Sequence, residues 1–413
     1  MNVYNCALMI VKKLVSEGFI AYFAGGWVRD FLMGHPSSDI DIATNAPPEA
    51  ITALFPKTLQ VGARFGVVVV VLDSRQFEVS TFRKDIDYID GRRPSAIALS
   101  TPEEDALRRD FTINGMFYDP LEKRVIDFVQ GQEDLKKEVI RTIGPPKERI
   151  EEDRLRMLRA VRFAVRFGFA IDPGTRRAVM EKASSLFPAV AMERIWQELN
   201  KMASHPRFDQ AILELHQLGL LAEIFPDLSS LSPEEAKSRA SSFPCMPKDC
   251  PTILYLMELF PESTLQQTRD LCRYLKVSNK TINLASFIHQ ARRLLIKGKQ
   301  QGSEDVQWAH FYAHPDAPLA LNVIAARLSS EGRAEFFREH QQRMKRLERH
   351  VDNIRAGHVL VTAADLEKHG IVPGVNMGKL LKEAERAAVN RNLDHPDAVI
   401  DILKTSPLWP KQS

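Results

Sequence analysis

The sequence predicts an α+β protein, in which an N-terminal α/β head with a mixed β-sheet is followed by an all-α body and tail. Up to about residue 140, short apolar or alternating runs such as 66–72 are interleaved with helical patterns. From about residue 148 onward, strand signals nearly vanish and helical periodicity dominates. The chain has 413 residues, too many for one compact core, so we expect several domains.

Alternation of apolar residues and the positions of glycine and proline divide the head into segments. Gly34 and Pro36 stop the second predicted helix, and prolines open the third. The predicted segments, in order, are helix 3–18, strand 20–25, helix 27–34, strand 38–44, helix 47–55, strand 66–72 and strand 76–82.

The second half of the chain is predicted to be helical. Its first helices are predicted at 151–168, 174–185, 189–203 and 206–219. Residues 228–252 are rich in serine and proline and are interpreted as a surface connection. More helices are expected to about residue 353, before a small final unit at 357–413.

Bulk properties exclude some classes of protein and leave others open. The longest aliphatic run, 67–72, is far shorter than the ~20 residues that a membrane helix requires, so we expect no membrane partner. The four cysteines form no paired CxxC knuckles and are interpreted as reduced thiols of a cytoplasmic protein. A net charge of +3 is too small to identify a partner.

Two glycines at the end of the first strand precede an arginine in the first turn of the next helix. Gly25 and Gly26 would let the backbone approach a bulky anion, and the helix N-terminus presents free N–H groups to it. Arg29 could grip a phosphate. A lone glycine pair is usually an ordinary turn, but here Asp39 and Asp41 follow within 17 residues, in strand–helix–strand order.

The two aspartates alternate along the predicted strand and therefore share a face. Carboxylates ~6–7 Å apart repel each other unless a cation lies between them. Mg²⁺ takes a couple of carboxylates plus substrate phosphates, and two such ions can activate a 3′-hydroxyl and stabilise leaving pyrophosphate. The sequence therefore predicts that Asp39 and Asp41 are catalytic and bind the metal. Glu78 is a candidate third acid, with a solvated strand face as its alternative.

A second polar cluster follows an acidic helix. Arg108, Arg109, Asp110 and Asn114 could hydrogen-bond to a triphosphate and to ribose hydroxyls. Such a cluster is more often a surface ion pair, so this motif is weak by itself.

A third polar row lies in the first helix of the helical half. Asp153, Arg156, Arg159 and Arg162 recur every three residues, so successive members are expected to be neighbours on one helix. Such a row is usually a solvated, salt-bridged face. Alternatively it could read a nucleobase, because a carboxylate accepts from an exocyclic amine and a guanidinium donates to ring nitrogens and carbonyls. Cytosine and adenine carry such an amine and uracil does not.

Taken together, these motifs resemble class II CCA-adding enzymes and bacterial poly(A) polymerases of the nucleotidyltransferase superfamily, over roughly residues 20–225. The stretches that carry the resemblance are GGWVRDFLMGHPSSDID, RRDFTIN, EEDRLRMLRAVRFAVRFGF and AMERIWQEL. The resemblance implies that Asp39 and Asp41 bind the metals and that Asp153 and Arg156 pair with the incoming base. The nucleotide-binding residues that it implies are Gly25, Gly26, Arg29, Arg108, Arg109, Asp110, Asn114, Asp153, Arg156, Arg159 and Arg162.

The resemblance also implies a division into four parts. These are a catalytic head at 1–145, a helical base-recognition neck at 146–227, a helical RNA-binding body at 228–355 and a small C-terminal tail at 356–413. Residues 83–94 resemble the flexible loop that enzymes adding only CC lack. The nearly neutral C-terminus favours CCA addition over poly(A) synthesis.

We therefore expect a cytoplasmic CCA tRNA nucleotidyltransferase that uses CTP, ATP and Mg²⁺ without a nucleic-acid template, acting as a monomer or homodimer. The alternatives are a poly(A) polymerase, an A-adding tRNA nucleotidyltransferase and, more distantly, a catalytically silent RNA-binding protein. Candidate tRNA-contacting cations in the helical half are Arg292, Arg293, Lys297, Lys299, Arg343, Lys345, Arg346 and Arg349.

Overall fold

The computed structural model describes residues 2–35, 37–59, 66–88 and 94–410, without the side chains of 85–88, 94–97 and 299–301. The chain divides into two compact units, Met1–Ser238 and Arg239–Ser413. A mixed sheet with helices in the first unit and helices in the described part of the second confirm the predicted fold class. The tip of the predicted flexible loop, 89–93, and the Lys299 side chain lie outside the described residues. The finer division into four domains stays a prediction.

The strands are β1 (Ala21–Ala24), β2 (Asp41–Thr44), β3 (Thr58–Leu59), β4 (Val67–Leu72), β5 (Arg75–Thr81), β6 (Arg83–Tyr88), β7 (Pro94–Leu99), β8 (Phe117–Asp119), β9 (Arg124–Ile126), β10 (Val139–Ile140) and β11 (Ala170–Ile171). In the described part of the chain, the head sheet has the order β3-β4-β5-β2-β1-β8-β9. β2 and β5 run parallel and the other neighbours antiparallel, so the sheet is mixed. Ala24 lies opposite both Asp41 and Phe117, which places the ends of three strands at the glycine turn.

The helices of the head are α1 (Val3–Ser16), α2 (Gly26–Leu32), α3 (Pro48–Leu54), α4 (Pro102–Leu107) and α5 (Gly131–Lys136). The Asn2 side chain caps α1 by accepting from the Asn5 N–H at 2.8 Å. Cys6, Ile10 and Leu14 recur at helical spacing and are fully buried in the head core. Burying each large aliphatic side chain stabilises the head by roughly 1.5–3 kcal/mol.

Helices α6 (Pro146–Glu152), α7 (Arg156–Phe167), α8 (Pro173–Lys182), α9 (Met192–Ala203), α10 (Phe208–Gln217) and α11 (Leu220–Ile224) complete the first unit. The prediction of one continuous helix at 151–168 is wrong, because the chain leaves the helix at Asp153, which is extended with φ −144°. The Asp153 carboxylate accepts from the Leu155 N–H at 3.1 Å, which stabilises this break. α7 then packs against α9 and α10.

The remaining helices are α12 (Pro233–Ala240), α13 (Thr252–Glu258), α14 (Leu265–Tyr274), α15 (Asn279–Gln301), α16 (Asp305–Ala313), α17 (Ala317–Ala325), α18 (Ser330–Ala356), α19 (Ala363–Glu367), α20 (Val375–Asn390) and α21 (Pro396–Lys404). The interpretation of 228–252 as a plain surface connection is wrong. This stretch contains α12, which buries Ala236 and Ala240, and a short turn of 3₁₀ helix in which Phe243 is buried. Its small apolar residues pack inward although serine and proline dominate its composition.

The last predicted unit has an apolar cluster of its own, which includes Leu366, Leu380, Val399 and Leu403, all fully buried. Among the described residues, no helix combines the length and the apolar composition needed to cross a membrane.

Candidate active site

Twelve of the residues predicted to form the site line one cavity of about 560 Å³ in the first unit. They are Gly25, Gly26, Arg29, Asp39, Asp41, Arg108, Arg109, Asp110, Asn114, Asp153, Arg156 and Arg159. Trp27, Asp30, Ser37, Leu155, Phe163, Arg166 and Arg194 also line it and were not among the predicted site residues. Glu78 and Arg162 do not line it.

The glycine turn forms one wall of the cavity, and the backbone conformation of its first residue favours glycine. Gly25 has φ 67°, in the left-handed region, and a Cβ on it would lie 3.0 Å from Arg109 Nη1. A Cβ on Gly26 would lie 3.4 Å from Arg29 Nη2. Gly25 therefore allows the Arg109 guanidinium to approach the backbone closely, whereas a small side chain at Gly26 would only touch Arg29.

The paired aspartates lie at the entrance to β2. The strand begins at Asp41, so the predicted strand 38–44 is too long at its start, and Asp39 lies two residues before it. Ile40 between them is buried and Asp39 is exposed, which matches the expected alternation. Burial, together with the nearby charges of Asp39 and Glu78, raises the pKa of Asp41 to about 6. This repulsion is what a bound divalent cation would relieve.

Glu78 lies on β5, exposed between buried Phe77 and Val79, as its alternation predicted. Because Val79 pairs with Ile42 in the parallel β2–β5 ladder, Glu78 is the neighbour of Asp41 on the adjacent strand. It therefore acts on Asp41 by its charge from outside the cavity wall. Within the described ranges, no group of three or more His, Cys, Asp or Glu side chains could hold a metal ion alone. Two aspartates suit Mg²⁺, which draws further ligands from substrate phosphates and water.

Arg29 is buried and lies in the wall of the cavity. Its Nε donates to Asp30 at 2.8 Å, its Nη1 donates to the Asn114 side chain, and its guanidinium lies 4.5 Å from the Phe167 ring centre. Burial lowers the pKa of Arg29, although the adjacent Asp30 carboxylate opposes this shift. Asp30, which also pairs with Arg166 at 3.5 Å, could have been found from its position directly after the predicted phosphate-binding arginine.

Asp110 is held by partners from its own RRDFTIN segment and from α7. Its carboxylate accepts from Arg159 Nε at 2.7 Å, from Asn114 Nδ2 at 3.1 Å and from the Phe111 N–H at 2.8 Å. Although burial alone would raise its pKa, the charge of Arg159 and these hydrogen bonds lower the pKa of Asp110 to about 2. Asp110 is therefore ionised at neutral pH and ties the RRDFTIN segment to α7.

Arg108 and Arg109 share one buried carboxylate. Asp105 is 1% exposed and accepts from Arg108 Nη2 at 2.7 Å and from Arg109 Nη2 at 3.0 Å. It also accepts from the Arg83 N–H, at the start of β6, at 3.3 Å. Burial would raise the pKa of Asp105, but the two guanidinium groups lower it. Asp105 was missed because its acidic neighbours in PEEDAL give the same pattern as a solvated helix.

We expect Asp105→Asn to raise the KM for nucleotides at least about tenfold, because two cavity arginines lose their common counter-charge. It should also lower the free energy of unfolding at neutral pH by about 2 kcal/mol. The folded-state pKa is depressed, so this stabilisation is present above the ordinary pKa of 3.8 and is lost as pH falls through the folded value. Kinetics and urea unfolding of the variant between pH 8 and pH 3 measure both effects. An unchanged KM would contradict this role.

The base-reading candidates do not form one exposed row. Asp153 lies outside the helix and pairs with Arg194 on α9 at 3.2 Å. Arg156 is buried, and its Nη1 donates to Glu152 at 2.8 Å. Arg159 is engaged by Asp110 as described above.

Arg162, which the resemblance implies to be a nucleotide-binding residue, does not line the cavity. It is buried, and its Nε lies 2.6 Å from the Glu198 carboxylate on α9. Its guanidinium also lies 4.2 Å from the Phe163 ring centre. Glu198 is a buried acid that draws Arg162 away from the cavity, and a sequence row with a period of three cannot reveal such a partner on another helix.

A mixed-sheet head with paired carboxylates at a strand start, faced by arginines, is that of a nucleotidyltransferase. Residues 21–141 match the poly A polymerase head domain, and residues 168–231 match the probable RNA and SrmB-binding site of polymerase A. The CCA-adding enzyme of Geobacillus stearothermophilus is 38% identical over 283 residues, which cover 68% of this chain and 69% of that enzyme. The CCA-adding enzyme of Streptococcus mutans is 31% identical over 410 residues, 96% of each chain.

The crystal structure of the Bacillus stearothermophilus CCA-adding enzyme in complex with CTP has a TM-score of 0.80 to this chain, with 29% identity and 98% of each chain covered. The chain belongs to the family of CCA-adding enzymes. Nucleotidyltransferases of this kind generally use divalent metal ions.

Proposed function

We propose that this chain adds C, C and A to the 3′ end of tRNA, taking nucleotides from CTP and ATP without a nucleic-acid template. The observation that carries the proposal is the single cavity that brings Asp39 and Asp41 together with Asp153 and Arg156. Carboxylates for phosphoryl chemistry and a polar pair for a base thus line the same space. The membership of the chain in the CCA-adding family supports this activity.

Asp39 and Asp41 would hold Mg²⁺. The raised pKa of Asp41 supports this role, because a bound cation would offset the burial and the repulsion that disfavour its negative charge. When bound, the metal ions lower the pKa of the RNA 3′-hydroxyl and neutralise the developing pyrophosphate. In the reaction the 3′-oxygen bonds to the α-phosphorus, and the bond from that phosphorus to the oxygen leading to the β-phosphate breaks. The hydroxyl proton leaves to solvent and pyrophosphate departs.

The arginines on the cavity wall would bind the triphosphate. Arg109 lies against the glycine turn, and its positive charge partly opposes the rise in the pKa of Asp41. The Arg109 charge is therefore felt at the aspartates, next to which the phosphates would lie. Arg108 and Arg166 extend the same positive surface. The metal ions on the aspartates and these arginines would together balance the negative charge of the triphosphate and orient it for attack.

Asp153 and Arg156 would choose the base. The Asp153 carboxylate can accept from the exocyclic amine that cytosine and adenine share, and the Arg156 guanidinium can donate to a ring nitrogen or carbonyl. Arg194 pairs with Asp153 at 3.2 Å and so orients the carboxylate as an acceptor. Uracil presents no amine to the carboxylate and is rejected.

The second unit, Arg239–Ser413, would bind tRNA through phosphate contacts. The protein would act in the cytoplasm as a monomer or homodimer. The candidate RNA-contacting cations of this unit differ in the partners that they contact within the protein. Arg292 is buried against the carboxylate of Glu258, and burial lowers the pKa of Arg292 to about 10. Its guanidinium therefore pairs within the protein rather than with an RNA phosphate. Arg343 lies 4.4 Å from the Trp308 ring centre, and Arg346 pairs with Asp305 at 2.6 Å.

Salt and charge removal test these contacts. We expect the affinity for tRNA to fall linearly with salt on a logarithmic scale, because each phosphate contact releases counterions. Two double variants, Arg293→Gln with Lys297→Gln and Arg343→Gln with Lys345→Gln, remove two charges each. The cluster that binds tRNA should lose about two units of the salt slope, and the other double variant is its control. If neither variant changes the slope in filter binding, tRNA binds elsewhere.

The nucleotide requirement tests the proposed activity. Purified protein with Mg²⁺ is given transcripts that end before CCA, after C and after CC, with CTP and ATP separately and together. The proposal requires CTP alone to extend the first two transcripts and ATP alone to extend the third by one residue. Extension of the third transcript only would identify an A-adding enzyme.

A further inference from the structure

Arg149 joins the two segments that carry the proposed nucleotide contacts, although it lies outside the cavity wall. It is in the last turn of α6, and its side chain is only 10% exposed. A guanidinium with five donors in a planar fork can bond to several acceptors at once, which a lysine cannot reproduce. The acceptors that Arg149 engages belong to both segments.

On one side, Arg149 holds the backbone beneath the triphosphate-binding arginines. Its Nη2 donates to the carbonyl oxygens of Arg108 and Arg109, at 2.7 Å each. These carbonyls directly follow α4, where the last carbonyls of a helix lack partners within the helix and attract positive charge. This contact fixes the backbone from which the Arg108 and Arg109 side chains extend.

On the other side, Arg149 holds the groups that orient Arg156. Its Nη1 donates to the Glu152 carboxylate, which also accepts from Arg156 Nη1 at 2.8 Å. The carbonyl oxygen of Arg149 accepts from the same Arg156 nitrogen at 2.5 Å. Arg156 Nη2 completes the network by donating to the Arg108 carbonyl at 3.3 Å. Arg156 is thus held by acceptors that Arg149 either provides or binds.

We propose that Arg149 is a positioning residue that sets the spacing between Arg108–Arg109 and Arg156, and thereby the choice of nucleotide. The inference rests on the proposed function. A nucleotide can place its triphosphate and its base in productive positions together only if these two groups of side chains are correctly spaced. A looser spacing weakens binding of the correct nucleotides and removes part of the penalty against a wrong base.

The test replaces Arg149 by lysine, which keeps the charge but cannot span both carbonyls and Glu152. The matched control is Arg141→Lys, because Arg141 likewise bridges two segments through its guanidinium but outside the cavity, pairing with Asp134 at 3.0 Å and with Asp172 at 2.5 Å. Both proteins are assayed for single additions of CTP, ATP and UTP to tRNA transcripts. We expect Arg149→Lys to raise the KM for CTP and ATP and to lower discrimination of CTP against UTP, each by about tenfold. The Arg141→Lys enzyme should keep the discrimination of the unaltered protein.

A double-mutant cycle with Arg156→Lys separates positioning from simple loss of stability. If Arg149 acts through Arg156, adding Arg149→Lys to Arg156→Lys should cost no further discrimination. A lower melting temperature with unchanged discrimination would reduce Arg149 to a structural role and overturn the proposal. Arg149→Gln, which can still donate to one carbonyl, serves as the second variant if the lysine protein does not fold.

Failure of the proposed function has a different signature. Unaltered protein that adds no nucleotide to any transcript would contradict CCA addition without involving Arg149. In that event, calorimetry with CTP and UTP still tests the inference through their ratio of dissociation constants. A ratio equal in Arg149→Lys and the unaltered protein would overturn it.

Discussion

Replacing Asp41 by asparagine is expected to lower nucleotide incorporation by about a thousandfold, because the metal site loses several kcal/mol of charge stabilisation in the transition state. The same change should stabilise the metal-free fold. Burial and the charges of Asp39 and Glu78 raise the folded-state pKa of Asp41 from 3.8 to about 6, so ionising this carboxylate opposes folding. The metal-free protein should therefore lose stability as pH rises from 3.8 to about 6, and the asparagine variant should lose less.

Melting curves with and without Mg²⁺, together with single-addition rates, measure both effects. Mg²⁺ should raise the melting temperature of the unaltered protein and change that of Asp41→Asn much less. The control is Asp119→Asn, at the end of β8. The Asp119 side-chain oxygen accepts from the Leu121 and Glu122 N–H groups, and an asparagine oxygen can accept from them in the same way. An Asp41→Asn enzyme with unaltered activity would exclude Asp41 as a metal ligand.

Replacing Asp153 by alanine is expected to lower the preference for CTP over UTP by about 10- to 100-fold, because the acceptor for the exocyclic amine is lost. The loss should fall mainly on incorporation of CTP and ATP, since UTP makes no bond to this carboxylate. Arg194, which pairs with Asp153 at 3.2 Å, would then lack its counter-charge in the cavity. Competition between radiolabelled CTP and UTP on one transcript measures the ratio directly.

The control for this prediction is Glu151→Ala, two residues earlier. Glu151 is exposed and pairs with Lys182, so its loss removes a nearby acid without touching the cavity. Selectivity should therefore stay unchanged in that variant. If Asp153→Ala retained the full preference for CTP, the base would be chosen by other residues.

The sequence was sufficient for the parts of the site that lie close together along the chain. The glycine turn, the first-turn arginine and the aspartate pair are joined by one strand–helix–strand unit, and the alternation of Asp39, Ile40 and Asp41 already fixed which side chains share a face. The aliphatic run 67–72 likewise forms the predicted strand of the head sheet. Local periodicity determines these features, so their prediction needs no tertiary information.

Partners from distant segments could not be predicted in the same way. A three-residue spacing places Asp153 and Arg162 in one row along the sequence. In the structure Asp153 lies outside the helix and Arg162 pairs with the buried Glu198 on α9, so the two side chains do not share one surface. Asp105 and Arg149 were missed for a related reason. Their roles depend on which guanidinium or carbonyl groups the fold brings to them, and composition does not record such contacts.

The most direct test of the central claim is to sequence the 3′ ends of one tRNA transcript that ends before CCA, after incubation with the protein, Mg²⁺ and all four nucleotides. If one cavity selects both cytosine and adenine by its own side chains, the products should end in C, CC and finally CCA, with no further extension and little U or G. Long A tails without prior C addition would contradict the account and indicate a poly(A) polymerase. Unextended transcripts would contradict it as well and indicate a protein that binds RNA without catalysis.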